Sequence, residues 1–191
     1  TLNKRTPGYR SPFAFYIYNM NNSTAILETK RLILRHYTMD DLDSLVTFYS
    51  DPDVVKYIPD ASGSFDEIKE ELEWHMNGHP KFPELGLWAT IYKETGDFIG
   101  RCGLLPWTLD DQNEVEVAFA LSKPYWGQGL ATEAAQGIVR YAYETLKLSR
   151  LVCLIEEGNL ASVKVAKKIG MKFEKEGRDE IGSFLLYSMS K

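Results

Sequence analysis

A short glycine-containing loop between an apolar strand and an apolar-striped helix constrains this chain more than any other feature. The segment runs from Lys123 to Thr132, with glycine at 127 and 129. Glycine lets backbone approach a ligand closely and adopt positive φ. A helix that begins there directs its first free N–H groups and its positive dipole end at the loop, which favours a bound phosphate or pyrophosphate. The alternative is a tight turn without a ligand, because Gly-x-Gly alone is weak evidence.

Two nucleotide-binding motifs do not fit this loop. No Gly-Lys-Ser/Thr closes it, which excludes a Walker loop. Position 132 is threonine, so the third glycine of the dinucleotide-binding fingerprint is missing. These two motifs therefore do not identify the ligand of the loop.

Hydrophobic periodicity predicts the order of the elements around the loop. Predicted strands cover residues 29–35, 87–92, 98–104, 114–122, 151–155, 173–175 and 184–189. Predicted helices cover 38–49, a short stretch after Pro52, 64–77, 132–146 and 160–169. Residues 105–113 are polar and contain proline, which predicts a connection.

Composition excludes several classes of protein. The 191 residues are 44% hydrophobic and 26% charged, as in a single soluble domain, and the net charge of −5 does not suggest a nucleic-acid-binding surface. No apolar run approaches the roughly 20 residues of a membrane span. Cys102 and Cys153 lie in apolar strand-like runs, which predicts buried free thiols and a cytoplasmic location.

A metal site is not predicted either. His75 and His79 have the i, i+4 spacing of helix-borne metal ligands. However, Gly78 and Pro80 flank the second histidine and no glutamate follows the first, so a surface turn is favoured.

Two segments resemble the GNAT acetyltransferases. The string Tyr-Trp-Gly-Gln-Gly-Leu-Ala-Thr-Glu-Ala, residues 125–134, looks like the acyl-CoA pyrophosphate loop of the RimJ/RimL-type branch. Trp126 departs from the Arg or Gln of the family's Arg/Gln-x-x-Gly-x-Gly/Ala pattern. Residues 29–35, Thr-Lys-Arg-Leu-Ile-Leu-Arg, match the branch's Thr-x-Arg-Leu-x-Leu-Arg.

The resemblance covers roughly Ile26 to the C-terminus and implies the GNAT fold. That fold is α/β (α+β), with a mixed central sheet of about seven strands flanked by helices and a β-loop-α acyl-CoA site. Residues 26–191 would form this domain. Residues 1–25 would be an N-terminal extension, whose aromatic residues favour an ordered arm.

The resemblance also implies acetyl-CoA as cosubstrate and assigns residues to it. A strand edge would pair with pantetheine, the loop amides would hold the pyrophosphate, and Asn-x-x-Ser would line the pantetheine arm. The residues carried over are Phe119, Ala120, Leu121, Trp126, Gly127, Gln128, Gly129, Leu130, Ala131, Thr132, Asn159 and Ser162. The alternatives are an ordinary N-cap for Asn159 and a backbone-bonded hydroxyl for Ser162.

Acetyl transfer to an amine requires a deprotonated amine and a protonated leaving thiolate. Many GNAT enzymes use a tyrosine as the acid, but its expected position here is Ala166. Ser162 is therefore the candidate acid and Glu116 the candidate base, with a solvated sheet-face carboxylate as the alternative for Glu116. Asp179 and Glu180 are second-rank candidates.

The predicted function is acetyl transfer from acetyl-CoA directly to a primary amine, by an acyltransferase that is a monomer or homodimer. The acceptor would be a protein N-terminal α-amine or a small-molecule amine; no nucleic acid, membrane or metal is expected. A non-catalytic acyl-CoA-binding or regulatory GNAT-fold module is the alternative, because the tyrosine is missing. A protein that binds the phosphates of a nucleotide is a less favoured alternative. Such a protein would bind ATP more tightly than CoA.

Overall fold

The computed structural model describes residues 25–58, 61, 63–77, 79, 81–178 and 182–191. Its strands are β1 (Ala25–Glu28), β2 (Leu32–Arg35), β3 (Gly86–Tyr92), β4 (Phe98–Leu109), β5 (Gln112–Leu121), β6 (Arg150–Glu156), β7 (Lys172–Arg178) and β8 (Ser183–Ser190). Its α-helices are α1 (Leu42–Tyr49), α2 (Pro52–Val55), α3 (Phe65–Asn77), α4 (Leu130–Glu144) and α5 (Leu160–Lys168). The predicted arm, apart from Ala25, and the second-rank acids Asp179 and Glu180 lie outside the described residues.

The strands form one mixed sheet in the order β1-β2-β3-β4-β5-β6-β8-β7. β5 and β6 run parallel, and the other described neighbours are antiparallel. This confirms the predicted fold class, with eight strands rather than about seven. The additional strand is β1, where no strand was predicted; residues 29–31, which were predicted to begin the first strand, instead turn the chain between β1 and β2.

Residues 105–113 are not the predicted connection but the outer half of a long β4–β5 hairpin. Asp110 and Asp111 form its two-residue turn with φ of 48° and 60°, and aspartate tolerates this left-handed conformation better than most residues. Pro106 is accommodated because the pairing of β4 with β3 ends at Leu104, so the missing N–H faces no described strand. The prediction of a connection at 105–113 was therefore wrong, because a proline is tolerated in a strand where no neighbouring strand needs its N–H.

Helices cover both faces of the sheet. α4 and α5 pack on one face through buried residues that include Leu130, Ile138, Ala166, Val117 and Leu121. α1, α2 and α3 pack on the opposite face, where Ala118, Ala120 and Leu105 meet them. No helix within the described ranges is both long and apolar enough to span a bilayer.

Candidate functional site

The parallel strands β5 and β6 separate toward their C-terminal ends. We call the space between them the fork; it is closed at the N-terminal ends of the two strands and open at their C-terminal ends. Their register contains one pair, Glu116 with Val152. At the closed end, Arg150 Nε donates to Glu114 Oε1 over 3.0 Å. Within the described part of the chain, no backbone pairing joins residues 118–121 to β6. The edge of β5 at Phe119, Ala120 and Leu121 therefore has no strand partner on this side among the described residues, and its pairing with pantetheine, which the resemblance implies, stays a prediction.

The glycine loop lies at the open end of this fork. Gly127 and Gly129 have φ of 75° and 79°, and α4 begins at Leu130, two residues before the predicted start. Among the described residues, none of the amides of 127–132 donates a hydrogen bond to a protein acceptor. These amides are available to donate hydrogen bonds to a pyrophosphate. The positive end of the α4 dipole would favour its negative charge.

Two side chains hold the loop from within. Trp126 Nε1 donates to the Leu121 carbonyl over 2.5 Å, and Gln128 Nε2 donates to the Pro124 carbonyl over 2.9 Å. Trp126 is 47% exposed, so its indole bonds the end of β5 while part of the ring faces solvent. The tryptophan is therefore compatible with the loop, although the family pattern has Arg or Gln at this position.

The second β-loop-α unit opens onto the same end of the fork, because parallel strands place their C-terminal ends at one edge. Asn159 caps α5 by accepting from the Ser162 N–H over 3.1 Å, which is the ordinary N-cap alternative. Ser162 is half-buried, and within the described residues its Oγ has no hydrogen-bond partner. Ala166 is fully buried in the core beneath α5. The pantetheine roles of Asn159 and Ser162 stay predictions.

Glu116 lies at the point where the fork opens, with its side chain on the face covered by α1 to α3. It is 9% exposed. Oε2 accepts from Trp107 Nε1 over 2.6 Å, and Oε1 accepts from the Leu154 N–H over 3.2 Å. The carboxylate thus replaces a backbone partner for β6. The alternative interpretation of Glu116, as a carboxylate on a solvated sheet face, is therefore wrong. The general-base role of Glu116 stays a prediction.

α2 spans the open end of the fork. Near its start, Asp53 Oδ2 pairs with Lys123 Nζ over 2.5 Å, just before the glycine loop. Beyond its end, the Tyr57 hydroxyl donates to the Gly158 carbonyl over 3.3 Å, just before α5. α2 therefore borders the open end of the fork on the sheet face that carries Glu116.

A buried polar cluster beside Ala120 was missed by sequence reasoning. Arg101 pairs with Ala120 across β4 and β5, so their side chains share a face. Arg101 Nη1 contacts Glu71 Oε1 over 2.7 Å, and the Tyr49 hydroxyl donates to the same oxygen over 2.6 Å. The only signal in the sequence is a lone arginine within the apolar run 98–104.

The predicted surface position of His75 is also wrong. The residue is 7% exposed, and its Nδ1 accepts from the Leu87 N–H over 3.2 Å, which ties α3 to β3. Within the described residues, no group of three His, Cys, Asp or Glu side chains is placed to hold a metal ion.

Comparisons with known proteins identify the family. The acetyltransferase (GNAT) domain matches residues 31–172, so the chain belongs to the GNAT acetyltransferase family. It is 32% identical over 157 residues to "Uncharacterized N-acetyltransferase p20" of Bacillus licheniformis, covering 79% of this chain and 83% of the relative. The assignment supports an acetyltransferase enzyme over a non-catalytic module.

Solved structures share the fold. A putative ribosomal-protein-serine acetyltransferase from Vibrio cholerae aligns with a TM-score of 0.72 and 18% identity, covering 86% of this chain and 97% of that one. Spermidine N-acetyltransferase from Vibrio cholerae, solved with CoA and spermine, aligns with a TM-score of 0.68 and 16% identity, covering 84% and 95%. The family uses acetyl-CoA, and CoA is bound in the second of these structures.

Proposed function

We propose that this enzyme transfers the acetyl group of acetyl-CoA directly to a primary amine. One observation carries the proposal: the edge of β5 at residues 118–121, which has no strand partner on the β6 side among the described residues, leads straight into a loop whose amides have no protein acceptor there. A strand-like arm that ends in a pyrophosphate is the ligand with that shape. Pantetheine would pair with Phe119, Ala120 and Leu121, and the loop from Gly127 to Thr132 would bind the pyrophosphate.

The fork would place the thioester near Glu116. In the proposed step, Glu116 takes a proton from the ammonium of the acceptor, and the freed nitrogen attacks the thioester carbonyl. The new C–N bond forms and the C–S bond breaks. As the tetrahedral intermediate collapses, the nitrogen loses its second proton and the leaving thiolate takes up one, while the Ser162 hydroxyl is proposed to donate a hydrogen bond to the sulfur.

Direct transfer is favoured because neither thiol of the chain is suited to carry the acetyl group. Cys102 and Cys153 are buried and are the only cysteines in the sequence. Burial raises the pKa of Cys102 to about 11. Burial and the charge of Glu116 raise the pKa of Cys153 well above its ordinary value. A thiol with a raised pKa is a poor nucleophile at neutral pH.

The acceptor is proposed only as a class. A RimJ/RimL-like enzyme would act on a protein N-terminal α-amine, whereas the fold neighbour with spermine has a small polyamine acceptor. Glu116 suits either amine, since it provides a negative charge on the face that α2 borders. Fold similarity does not choose between them.

The test is ligand-induced thermal stabilisation followed by turnover. At acetyl-CoA near 100 times Kd, linkage contributes about 2.7 kcal/mol, which for a chain of this size is a rise in Tm of roughly 5–10 °C. ATP and NAD are the controls. Peptides with free N-termini, polyamines and amino acids are then assayed by thiol release, with N-terminally acetylated peptides as blanks. An equal shift with ATP, or none with acetyl-CoA, contradicts the proposal.

A further inference from the structure

The turn between β1 and β2 is bonded to both the glycine loop and the first turn of α4. Glu133 Oε1 accepts from the Thr29 hydroxyl over 2.6 Å and from the Arg31 N–H over 2.7 Å, and Oε2 accepts from Arg31 Nε over 2.7 Å. Arg31 Nη1 donates to the Gln128 carbonyl over 3.0 Å. We call these four residues the Arg31 clamp. It joins parts of the chain about 100 residues apart.

The carboxylate of Glu133 is stabilised in its ionised form by its hydrogen bonds. Partial burial opposes ionisation of Glu133, but hydrogen bonds from Thr29 and Arg31 outweigh it and hold its pKa below the ordinary value. The side chains of Arg31 and Glu133 are 35% and 19% exposed. The guanidinium is planar and forked, so bonding to Glu133 leaves Nη1 directed at one further acceptor. That acceptor is the Gln128 carbonyl.

The clamp fixes the orientation of one peptide plane in the loop. In a trans peptide the carbonyl of one residue and the N–H of the next point in opposite directions. With the Gln128 carbonyl held by Arg31, the Gly129 N–H points away from Arg31. Gly129 is the N-cap of α4 in the left-handed conformation, so its N–H is adjacent to the first free amides of the helix.

We propose that Arg31 is a positioning residue, which turns the Gly129 amide toward the pyrophosphate without contacting the ligand. The inference rests on the proposed function, because it requires acetyl-CoA in the fork. It also gives a role to the Thr-x-Arg segment at 29–31. The competing explanation is that the clamp only stabilises the fold by anchoring α4.

An acyl donor without a pyrophosphate separates the two explanations. Arg31→Ala is compared with the unsubstituted chain, using acetyl-CoA and S-acetylpantetheine as donors and the same amine. We expect Kd for CoA and KM for acetyl-CoA to rise about tenfold, equivalent to about 1.4 kcal/mol, with kcat little changed. kcat/KM for S-acetylpantetheine should stay within about twofold, because this donor does not use the loop amides.

Lys93→Ala is the matched control. Lys93 Nζ binds Glu28 Oε2 and the Thr29 carbonyl, both over 2.7 Å, on the same turn but away from the loop. This variant should keep the unsubstituted affinity for CoA. If Arg31→Ala fails to fold, Arg31→Lys is measured in the same way. This variant retains a cation for Glu133 but lacks the planar guanidinium group.

Three results would overturn the inference. Unchanged affinity of the Arg31 variant for CoA would remove the clamp from ligand binding while leaving the proposed function in place. An equal loss with S-acetylpantetheine would make the clamp a general stabiliser of the fold. Failure of the unsubstituted chain to bind CoA would refute the proposed function itself, and the clamp with it.

Discussion

Glu116→Gln is expected to lower kcat for acetyl transfer at least about 100-fold, the usual contribution of a positioned general base. The substitution keeps the size of the side chain and removes its capacity to take a proton. The affinity for CoA should change less than about threefold, because the proposed contacts with CoA are backbone groups of β5 and the loop. The measurements are kcat by thiol release and Kd for CoA by calorimetry.

The substitution also removes a hydrogen bond between β5 and its neighbours, and the resulting loss in the free energy of unfolding can be bounded. Both oxygens of Glu116 accept hydrogen bonds, from Trp107 Nε1 and the Leu154 N–H. A Gln side chain offers one oxygen, so one of these donors loses its acceptor at a cost of about 1–3 kcal/mol. The free energy of unfolding in urea must therefore be measured beside kcat.

Trp107→Phe is the matched control. It removes one donor to Glu116 and leaves the carboxylate, so it should lower stability while retaining most of the turnover. A loss of kcat as large as that of Glu116→Gln would indicate that the geometry of the fork, rather than proton transfer, limits the reaction. Full turnover by Glu116→Gln would remove Glu116 from the chemistry.

The elements around the candidate site that the sequence predicts correctly are local in the chain. An apolar strand, two glycines and a striped helix follow one another from 114 to 144, so periodicity and turn chemistry suffice to predict a β-loop-α unit. The shared edge of β5 and β6 follows from two such units. The bounds of these elements differ from the predicted ones by at most two residues.

The parts that were missed depend on contacts between distant segments. The pairing of Arg31 with Glu133, and of Arg101 with Glu71, joins residues 102 and 30 positions apart. No periodicity links such residues. Glu116 shows the same limit, since alternation places it on a sheet face but does not show that the face is buried. Burial of a polar strand residue depends on what packs above it, which one strand's pattern does not contain.

Gly100→Ala is expected to lower the free energy of unfolding by about 3–5 kcal/mol, the largest stability effect predicted for this chain. Gly100 has a φ of 148°, which L residues rarely adopt, and a Cβ there would lie 2.2 Å from the Ala120 carbonyl oxygen and 2.8 Å from the Leu121 Cα. Both neighbours are backbone atoms of β5 and cannot change rotamer. For a chain of this size the loss should lower Tm by roughly 10 °C.

Gly96→Ala separates backbone strain from the steric clash. Gly96 also has a positive φ, of 78°, but its Cβ would meet nothing within 4 Å, so this variant should lose only about 1–2 kcal/mol. The excess loss in Gly100→Ala then measures how rigidly β4 holds the β5 edge. Because β5 can relieve the clash only by moving away from β4, the affinity for CoA should fall as well. Equal stability of the two variants would mean that β5 shifts freely, and that the edge proposed for pantetheine is not preformed.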